Sequence, residues 1–125
     1  MYLLDTNILI YFLQGKKSVM SFINKSGQSR FSISIISRLE FLLGLQYPIF
    51  VSKEFDQYLD LFENINLDKL IVAEAVSLSS KLNKKLKFKD LIIAATAILT
   101  GKTIVTADKD FKKLPGLNVK LIEID

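Results

Sequence analysis

Short apolar runs typical of buried strands alternate along the chain with longer segments that have helical patterning. The strand-like runs are "MYLLD", "RFSISII", "KTIVTAD" and "NVKLIEI", with "NINL" as a weaker fifth. Strands separated by helices join through right-handed crossovers, which give a parallel sheet with helices on both faces. The 125-residue sequence therefore predicts a single α/β domain over residues 1–125, with a central, mainly parallel sheet.

Helices are predicted between these strands from the spacing of apolar residues and from residues that start or stop helices. The predicted helices are residues 7–13, 18–25, 37–45, 51–62, 69–86 and 89–101. Gly15 and Gly101 are expected to end helices, Pro48 to break one, and Asp68 to cap another.

The chain contains no histidine and no cysteine. Zinc sites of the usual kind, thiol nucleophiles, serine–histidine pairs and disulfides are therefore excluded. A metal ion would have to be held by oxygen ligands, and such ligands favour Mg²⁺ or Mn²⁺. The formal net charge of +4, from 17 basic and 13 acidic residues, leans weakly toward a polyanionic partner.

Half of the residues are hydrophobic, which is a high share for a small protein. No apolar run approaches the roughly 20 residues that a membrane-spanning helix needs, and the first residues lack the basic start of a signal peptide. We therefore expect a cytoplasmic protein with no membrane association. The excess apolar surface suggests a homo-oligomer, another bound partner, or both.

Four carboxylates stand out, either because they lie near the carboxyl ends of strands or at helix starts, where a parallel sheet forms its binding sites, or because they lie among apolar residues. Asp5 and Asp108 end predicted strands. Asp90 opens an apolar helix, and Glu40 lies inside "IISRLEFLLG". Clustered carboxylates at the edge of an apolar core repel one another and are costly to desolvate, so a divalent cation would stabilise them. Two such cations about 4 Å apart can clamp the attacking water and the leaving oxygen in phosphodiester cleavage.

Each of these acids also has a purely structural interpretation. The alternatives are helix capping by Asp5, Thr6, Asn7 or Asp90, a capping box from Ser37 to Glu40, and a turn at Asp108 and Asp110. One cap is enough for a helix, so three candidates in a row after the first strand are a surplus.

Two further groups of residues have competing interpretations. A basic run that leads into Asp90 could contact an RNA backbone or form a solvated helix end, and it consists of Lys81, Lys84, Lys85, Lys87 and Lys89. An apolar stripe is favoured for packing in a core or dimer over stacking on bases, and it consists of Phe55, Tyr58, Leu59 and Phe62.

The sequence resembles the PIN domains over its whole length, and among them the VapC-type toxin ribonucleases. "LLDTNILI" resembles the first motif of that family, "SISIISRLEFLLG" the second, and "KDLIIAATAILTGKTIVTADKDFKKLPGLNVKLI" the third and fourth run together. The resemblance implies a PIN-like three-layer α/β/α sandwich. It also makes Asp5, Glu40, Asp90 and Asp108 the expected catalytic and metal-binding acids. The chain departs from the pattern at Lys89, where the family often has proline.

The resemblance implies a Mg²⁺- or Mn²⁺-dependent endoribonuclease that hydrolyses RNA phosphodiester bonds as the toxin of a type II toxin–antitoxin pair. Its partners would be the RNA substrate, a cognate antitoxin, a second copy forming a homodimer, and operator DNA reached only through the antitoxin. We expect the acids to be supported by side chains that orient them or contact phosphate, namely Asn7, Thr106, Thr6 and Ser37. Asp110 is a candidate extra ligand.

Other protein classes fit the sequence less well. A phosphoacceptor receiver domain has a similar size and sheet, but it needs an acidic pair after the first strand, where this chain has Asp5 alone in "LLDTN". An Asp-x-Asp phosphatase fails because Asn7 stands at the second position. The main alternative is a PIN nuclease that acts in RNA processing or on DNA outside a toxin–antitoxin pair. A non-catalytic PIN scaffold is a further one.

Overall fold

The computed structural model describes residues 1–26, 30–44 and 49–125 of the chain. In these ranges the chain forms the strands β1 (Tyr2–Leu4), β2 (Phe31–Ser34), β3 (Glu63–Ile65), β4 (Thr103–Thr106) and β5 (Val119–Leu121). The helices are α1 (Thr6–Leu13), α2 (Lys17–Lys25), α3 (Ile35–Gly44), α4 (Ile49–Leu59), α5 (Lys69–Ser80) and α6 (Phe88–Thr100). A short 3₁₀ helix at Lys109–Lys113 lies between β4 and β5. Within the described part of the chain, every helix is too short or too polar to cross a membrane.

The strands form one sheet in the order β3-β2-β1-β4-β5, and every neighbouring pair is parallel. Leu3 in the central strand β1 is in register with Ser32 of β2 on one side and Ile104 of β4 on the other. The chain builds outward from β1 through β2 to β3, and then returns to the opposite side of β1 with β4. Sheets of this kind form ligand sites at the carboxyl ends of the strands beside such a reversal.

Apolar cores lie on both faces of the sheet, as the predicted three-layer α/β/α sandwich requires. Leu4 and Val105 face the core that includes α1, whereas their neighbours Leu3 and Ile104 face the core that includes α6. All four side chains are fully buried. Successive residues of a strand point to opposite faces, so short and continuously apolar strands are what a sheet covered on both sides needs.

The apolar stripe on α4 packs into the core, which confirms the packing interpretation over base stacking. Leu59 is fully buried, and the ring of Tyr58 packs against Phe41 and Phe62 with centroids 5.8 and 5.5 Å apart. The Tyr58 hydroxyl donates a hydrogen bond of 2.9 Å to the carbonyl oxygen of Leu9. Burial raises the pKa of this phenol to about 12.

Several predicted helix ends are confirmed by their local geometry. The backbone has positive φ at Gly15 (73°) and Gly101 (66°), which a residue without Cβ adopts at little cost as a helix ends. Asp68 caps α5, because its carboxylate accepts a hydrogen bond of 2.9 Å from the N–H of Ile71. The expected break at Pro48 lies outside the described residues.

Other predicted boundaries were wrong. α3 begins at Ile35, so the predicted strand ends two residues early and Ser37 lies inside the helix rather than at its cap. α5 ends at Ser80 instead of residue 86. The segment from 81 to 87 is irregular because α5 and α6 pack on each other and the chain must turn between them. α4 ends at Leu59 instead of residue 62. A turn follows the helix, and Phe62 lies directly before β3.

Candidate active site

A cavity of about 170 Å³ lies at the carboxyl edge of the sheet, beside the reversal between β1 and β4. Its walls consist of Asp5, Thr6, Asn7, Glu40, Lys87, Lys89, Asp90 and Asp108. The four acids singled out in the sequence therefore meet at one place, although they come from four separate segments. Parallel strands bring this about, because they point their carboxyl ends to the same edge.

Asp5 connects β1 to α1 and is held at both carboxylate oxygens. Oδ1 accepts a hydrogen bond of 2.8 Å from the N–H of Thr6, and Oδ2 accepts one of 2.8 Å from the hydroxyl of Thr106. Burial raises the pKa of Asp5 to about 6, against these two hydrogen bonds and with smaller contributions from the negative charges of Asp90 and Glu40. Two hydrogen bonds therefore orient the Asp5 carboxylate, but they do not offset the cost of its negative charge in the buried site.

Glu40 enters the cavity from α3 and is also engaged at both oxygens. Oε1 accepts a hydrogen bond of 2.8 Å from the hydroxyl of Thr6, and Oε2 lies 2.6 Å from Nζ of Lys89. Thr6 therefore contacts two of the acids, Asp5 through its backbone and Glu40 through its side chain. The alternative interpretation of Ser37 to Glu40 as a capping box is wrong, since both residues lie within α3.

Asp90 lies in the first turn of α6, two residues inside a helix that begins at Phe88. The alternative interpretation of Asp90 as the N-cap is wrong, because Lys87 occupies the cap position. Within the described ranges, the Asp90 carboxylate takes part in no hydrogen bond or ion pair. Partial burial raises the pKa of Asp90, and the negative charges of Glu40 and Asp108 raise it further.

Asp108 follows β4 and belongs both to the cavity wall and to the start of the 3₁₀ helix. Its carboxylate lines the cavity, and Oδ1 also caps the 3₁₀ helix by accepting a hydrogen bond of 2.9 Å from the N–H of Asp110. The N–H of Asp108 donates to the hydroxyl of Thr106, which itself donates to Asp5. Asp110 lies outside the cavity wall and pairs with Lys113 at 3.6 Å.

The four predicted supporting residues differ in where the structure puts them. Thr6 and Thr106 are buried and bind the acids directly. Asn7 is exposed in the cavity wall. Ser37 does not line the cavity, and its buried hydroxyl has no hydrogen-bond partner within the described part of the chain.

The sequence interpretation did not place lysine side chains inside the acidic cavity. Lys87 and Lys89 both line it, and Lys89 forms an ion pair with Glu40. Two local signals pointed to this position, since Lys89 belongs to the run of lysines that leads into Asp90 and stands where the PIN family often has proline.

A groove of about 590 Å³ continues from the cavity and shares Lys87, Asp90 and Asp108 with it. Four more lysines line this groove: Lys81, Lys84, Lys85 and Lys113. The interpretation of the lysine run as a solvated helix end applies to Lys81 alone, which occupies the C-cap of α5. Lys84, Lys85 and Lys87 lie in the irregular segment between α5 and α6 and line the groove, whereas Lys89 lies in α6 and lines the cavity instead.

The donors around the cavity suit a hard divalent cation, because they are carboxylate, hydroxyl and amide oxygens with no nitrogen or sulfur ligand. Across the described ranges, no three acidic side chains are arranged closely enough to share one ion. Asp5 and Glu40 are engaged by Thr106 and Lys89 instead. The residue types therefore fit a divalent metal, and side chains would have to turn toward it.

Comparison with known proteins agrees with this fold. The PIN domain family model matches residues 2–117. A toxin–antitoxin complex from Klebsiella pneumoniae is 30% identical over 94% of this chain and 95% of that chain, with a TM-score of 0.79. VapBC2 from Rickettsia felis, bound to a DNA fragment from its promoter, is 24% identical over 98% of both chains, with a TM-score of 0.86. VapBC-1 from nontypeable Haemophilus influenzae is 20% identical over 96% of both chains, with a TM-score of 0.82.

No curated protein sequence matched the chain. The family model nevertheless spans nearly all of the described residues and includes all four acids of the cavity. The chain therefore belongs to the PIN domain family.

Proposed function

We propose that the protein is a Mg²⁺- or Mn²⁺-dependent endoribonuclease and the toxin of a type II toxin–antitoxin pair. The observation that carries this proposal is the convergence of four acids on one cavity, Asp5, Glu40, Asp90 and Asp108. Oxygen ligands of this kind, beside a groove lined by lysines, suit metal-assisted hydrolysis of a phosphodiester. That chemistry needs neither histidine nor cysteine, which the chain lacks.

The four acids would hold the metal, which when bound supplies a water of lowered pKa and stabilises negative charge on the phosphate. Thr6 donates a hydrogen bond to Glu40 and Thr106 donates one to Asp5, which limits how far these carboxylates turn. Asn7, exposed in the wall, can donate from its side-chain amide to a phosphate oxygen. Asp110 pairs with Lys113 in the groove, where it could serve as an extra ligand.

The lysine-lined groove is proposed as the path of the RNA strand into the cavity. Each lysine that neutralises a phosphate releases counterions, which gives affinity without dependence on the base sequence. Lys87 lines both the groove and the cavity, so it can contact the strand where cleavage would occur.

The proposed partner is a cognate antitoxin, with operator DNA bound only through it. This rests on the family and on the compared structures, several of which are toxin–antitoxin complexes, some bound to DNA. A homodimer in the cytoplasm is part of the same proposal. The alternative is a PIN nuclease that acts in RNA processing or on DNA without an antitoxin. A neighbouring reading frame for a small antitoxin would favour the toxin.

The test is cleavage of total cellular RNA by the purified protein with Mg²⁺ or Mn²⁺, and with EDTA. We expect discrete fragments that require metal, and a loss of about 100-fold or more in rate for Asp5→Asn and Asp90→Asn. Glu54→Gln is the matched control, because Glu54 is exposed on α4 and lies outside the cavity wall. Cleavage that survives EDTA, or equal cleavage by all variants, would refute the catalytic assignment.

A further inference from the structure

The acidic cavity contains a cation that belongs to the chain itself. Nζ of Lys89 lies 2.6 Å from Oε2 of Glu40, and the Lys89 side chain forms part of the cavity wall. Lys87 lines the same cavity but has no ion pair within the described part of the chain. Two lysines thus stand beside the four acids, and only one of them is paired with a carboxylate.

The position of Lys89 determines what Glu40 can offer to another cation. Thr6 engages one oxygen of Glu40 and Lys89 engages the other, so a metal ion that binds Glu40 is brought close to the positive charge of Lys89. The hydroxyl of Thr6 is buried and belongs to the rigid start of α1. The lysine side chain is 38% exposed and flexible, so it is the donor that can leave.

The charge of the cavity explains why an ammonium is retained there. Four carboxylates face a small space, and within the described ranges the Asp90 carboxylate makes no hydrogen bond or ion pair that would neutralise it. The Lys89 ammonium lies 2.6 Å from the Glu40 carboxylate and in the same wall as Asp5 and Asp90. Its positive charge offsets part of the repulsion among the acids.

We propose that Lys89 is a tethered counter-ion that occupies Glu40 in the metal-free protein and competes with the divalent metal for it. The inference rests on the proposed function, since it assumes that these acids bind a metal. The competition lowers metal affinity, because the metal must either displace the Lys89 ammonium or bind close to its positive charge. It also stabilises the metal-free fold, in which the carboxylates would otherwise repel one another.

The test is calorimetric titration of Mn²⁺ into the full chain at neutral pH and low salt. Replacing Lys89 by glutamine is expected to tighten Mn²⁺ binding on the order of tenfold, a size typical of coupling between two ligands. Lys89→Arg, which keeps the charge, should bind Mn²⁺ about as the parent does. Lys87→Gln is the matched control, since it removes the same charge from the same wall without breaking the pair.

Thermal unfolding gives a readout that does not depend on catalysis. In EDTA, Lys89→Gln should unfold at a lower temperature than the parent, and saturating Mn²⁺ should raise its midpoint by more than that of the parent. Lys89→Met, which keeps an apolar stem, allows the same comparison if the glutamine variant does not fold without metal.

The outcomes separate this inference from the proposed function. Mn²⁺ binding by Lys89→Gln that is equal to or weaker than that of the parent would overturn the counter-ion role while leaving the metal site intact. An equal gain in Lys87→Gln would also overturn it, since net charge alone would then explain the effect. No Mn²⁺ binding by any variant would overturn the metal site and the inference together. Tighter Mn²⁺ binding by Lys89→Gln than by the parent, Lys89→Arg and Lys87→Gln would support it.

Discussion

At Asp5, the stability of the fold conflicts with the need for an ionised carboxylate in the proposed metal site. Asp5 is 7% exposed, and α1 begins directly after it, so its position is set by the start of a buried helix. Its two hydrogen bonds do not compensate for the loss of water, because burial still raises its pKa to about 6. An ionised Asp5 therefore costs stability that a bound cation would return.

This cost predicts how stability depends on pH in metal-free solution. The pKa of Asp5 rises from 3.8 in the unfolded chain to about 6 in the folded one, so the folded state binds the proton more tightly. Below the unfolded value there is no penalty. As pH rises through the interval to above 6, the parent should lose up to about 3 kcal/mol of unfolding free energy relative to Asp5→Asn.

Urea denaturation in EDTA between pH 4 and pH 8 (about the range that both pKa values require) measures this difference. The curves of the parent and Asp5→Asn should diverge with increasing pH, the variant becoming the more stable. Curves that stay parallel would mean that Asp5 is not destabilised by burial. The same substitution is expected to abolish cleavage, so stability and activity would change in opposite directions.

Helix α3 carries one residue of the site and a separate anchor. Glu40 faces the cavity, while Arg38 on the same helix donates hydrogen bonds to Asp56, Asp60 and Asn64. Its guanidinium also donates to the carbonyl oxygen of Asp56. These hydrogen bonds of the Arg38 guanidinium connect α3 to the end of α4 and to β3. They therefore help to determine the position of Glu40 in the cavity.

Arg38→Lys is expected to lower the unfolding free energy by about 1 kcal/mol, because one ammonium cannot reproduce the bonds of a planar fork. Chemical denaturation measures the loss. Lys53→Gln, on the exposed side of α4, is the control and should change stability by less than about 0.5 kcal/mol. An Arg38→Lys protein as stable as the parent would show that the charge alone holds α3.

Helix ends were predicted correctly from the sequence where interactions within a few residues determine them. Asp68 capping α5 and Gly101 ending α6 depend only on nearby backbone groups, and both were predictable. The early end of α5 was not, because the pattern in 69–86 continues to favour helix. Packing of α6 against α5 requires the turn that interrupts it.

Across the whole molecule, the positions of the charged residues matter more than the net charge. The formal net charge is only +4, yet five lysines line the groove that leads to the acidic cavity. The acids bind the metal in the proposed mechanism, and the lysines bind the strand. A single average charge would not reveal either function.

The groove predicts the salt dependence of RNA binding. Replacing Lys81, Lys84 and Lys85 by glutamine, in an inactive Asp90→Asn background, should weaken binding of a short single-stranded RNA. The slope of log affinity against log salt should become shallower by about 0.7 for each phosphate that is no longer neutralised, or about 2 in all. Fluorescence anisotropy at several salt concentrations measures both quantities.

The control for this experiment removes the same charge elsewhere. Lys16, Lys25 and Lys53 lie outside the walls of the groove, and their replacement by glutamine should leave the slope nearly unchanged. If both triple variants lose the same affinity and slope, net charge would account for binding and the groove would not be the path of the strand.

Three features follow from the amino-acid sequence alone. They are the alternation of strands and helices, the restriction of any metal site to oxygen ligands, and the positions of the four acids along the chain. They depend on patterns within a few residues or on which residue types are absent. Only the folded chain decided which groups hold those acids. Thr6 meets Glu40 across 34 positions of sequence, and Thr106 meets Asp5 across 101. The pairing of Lys89 with Glu40 arises in the same way, because contacts between distant segments depend on how helices and strands pack together.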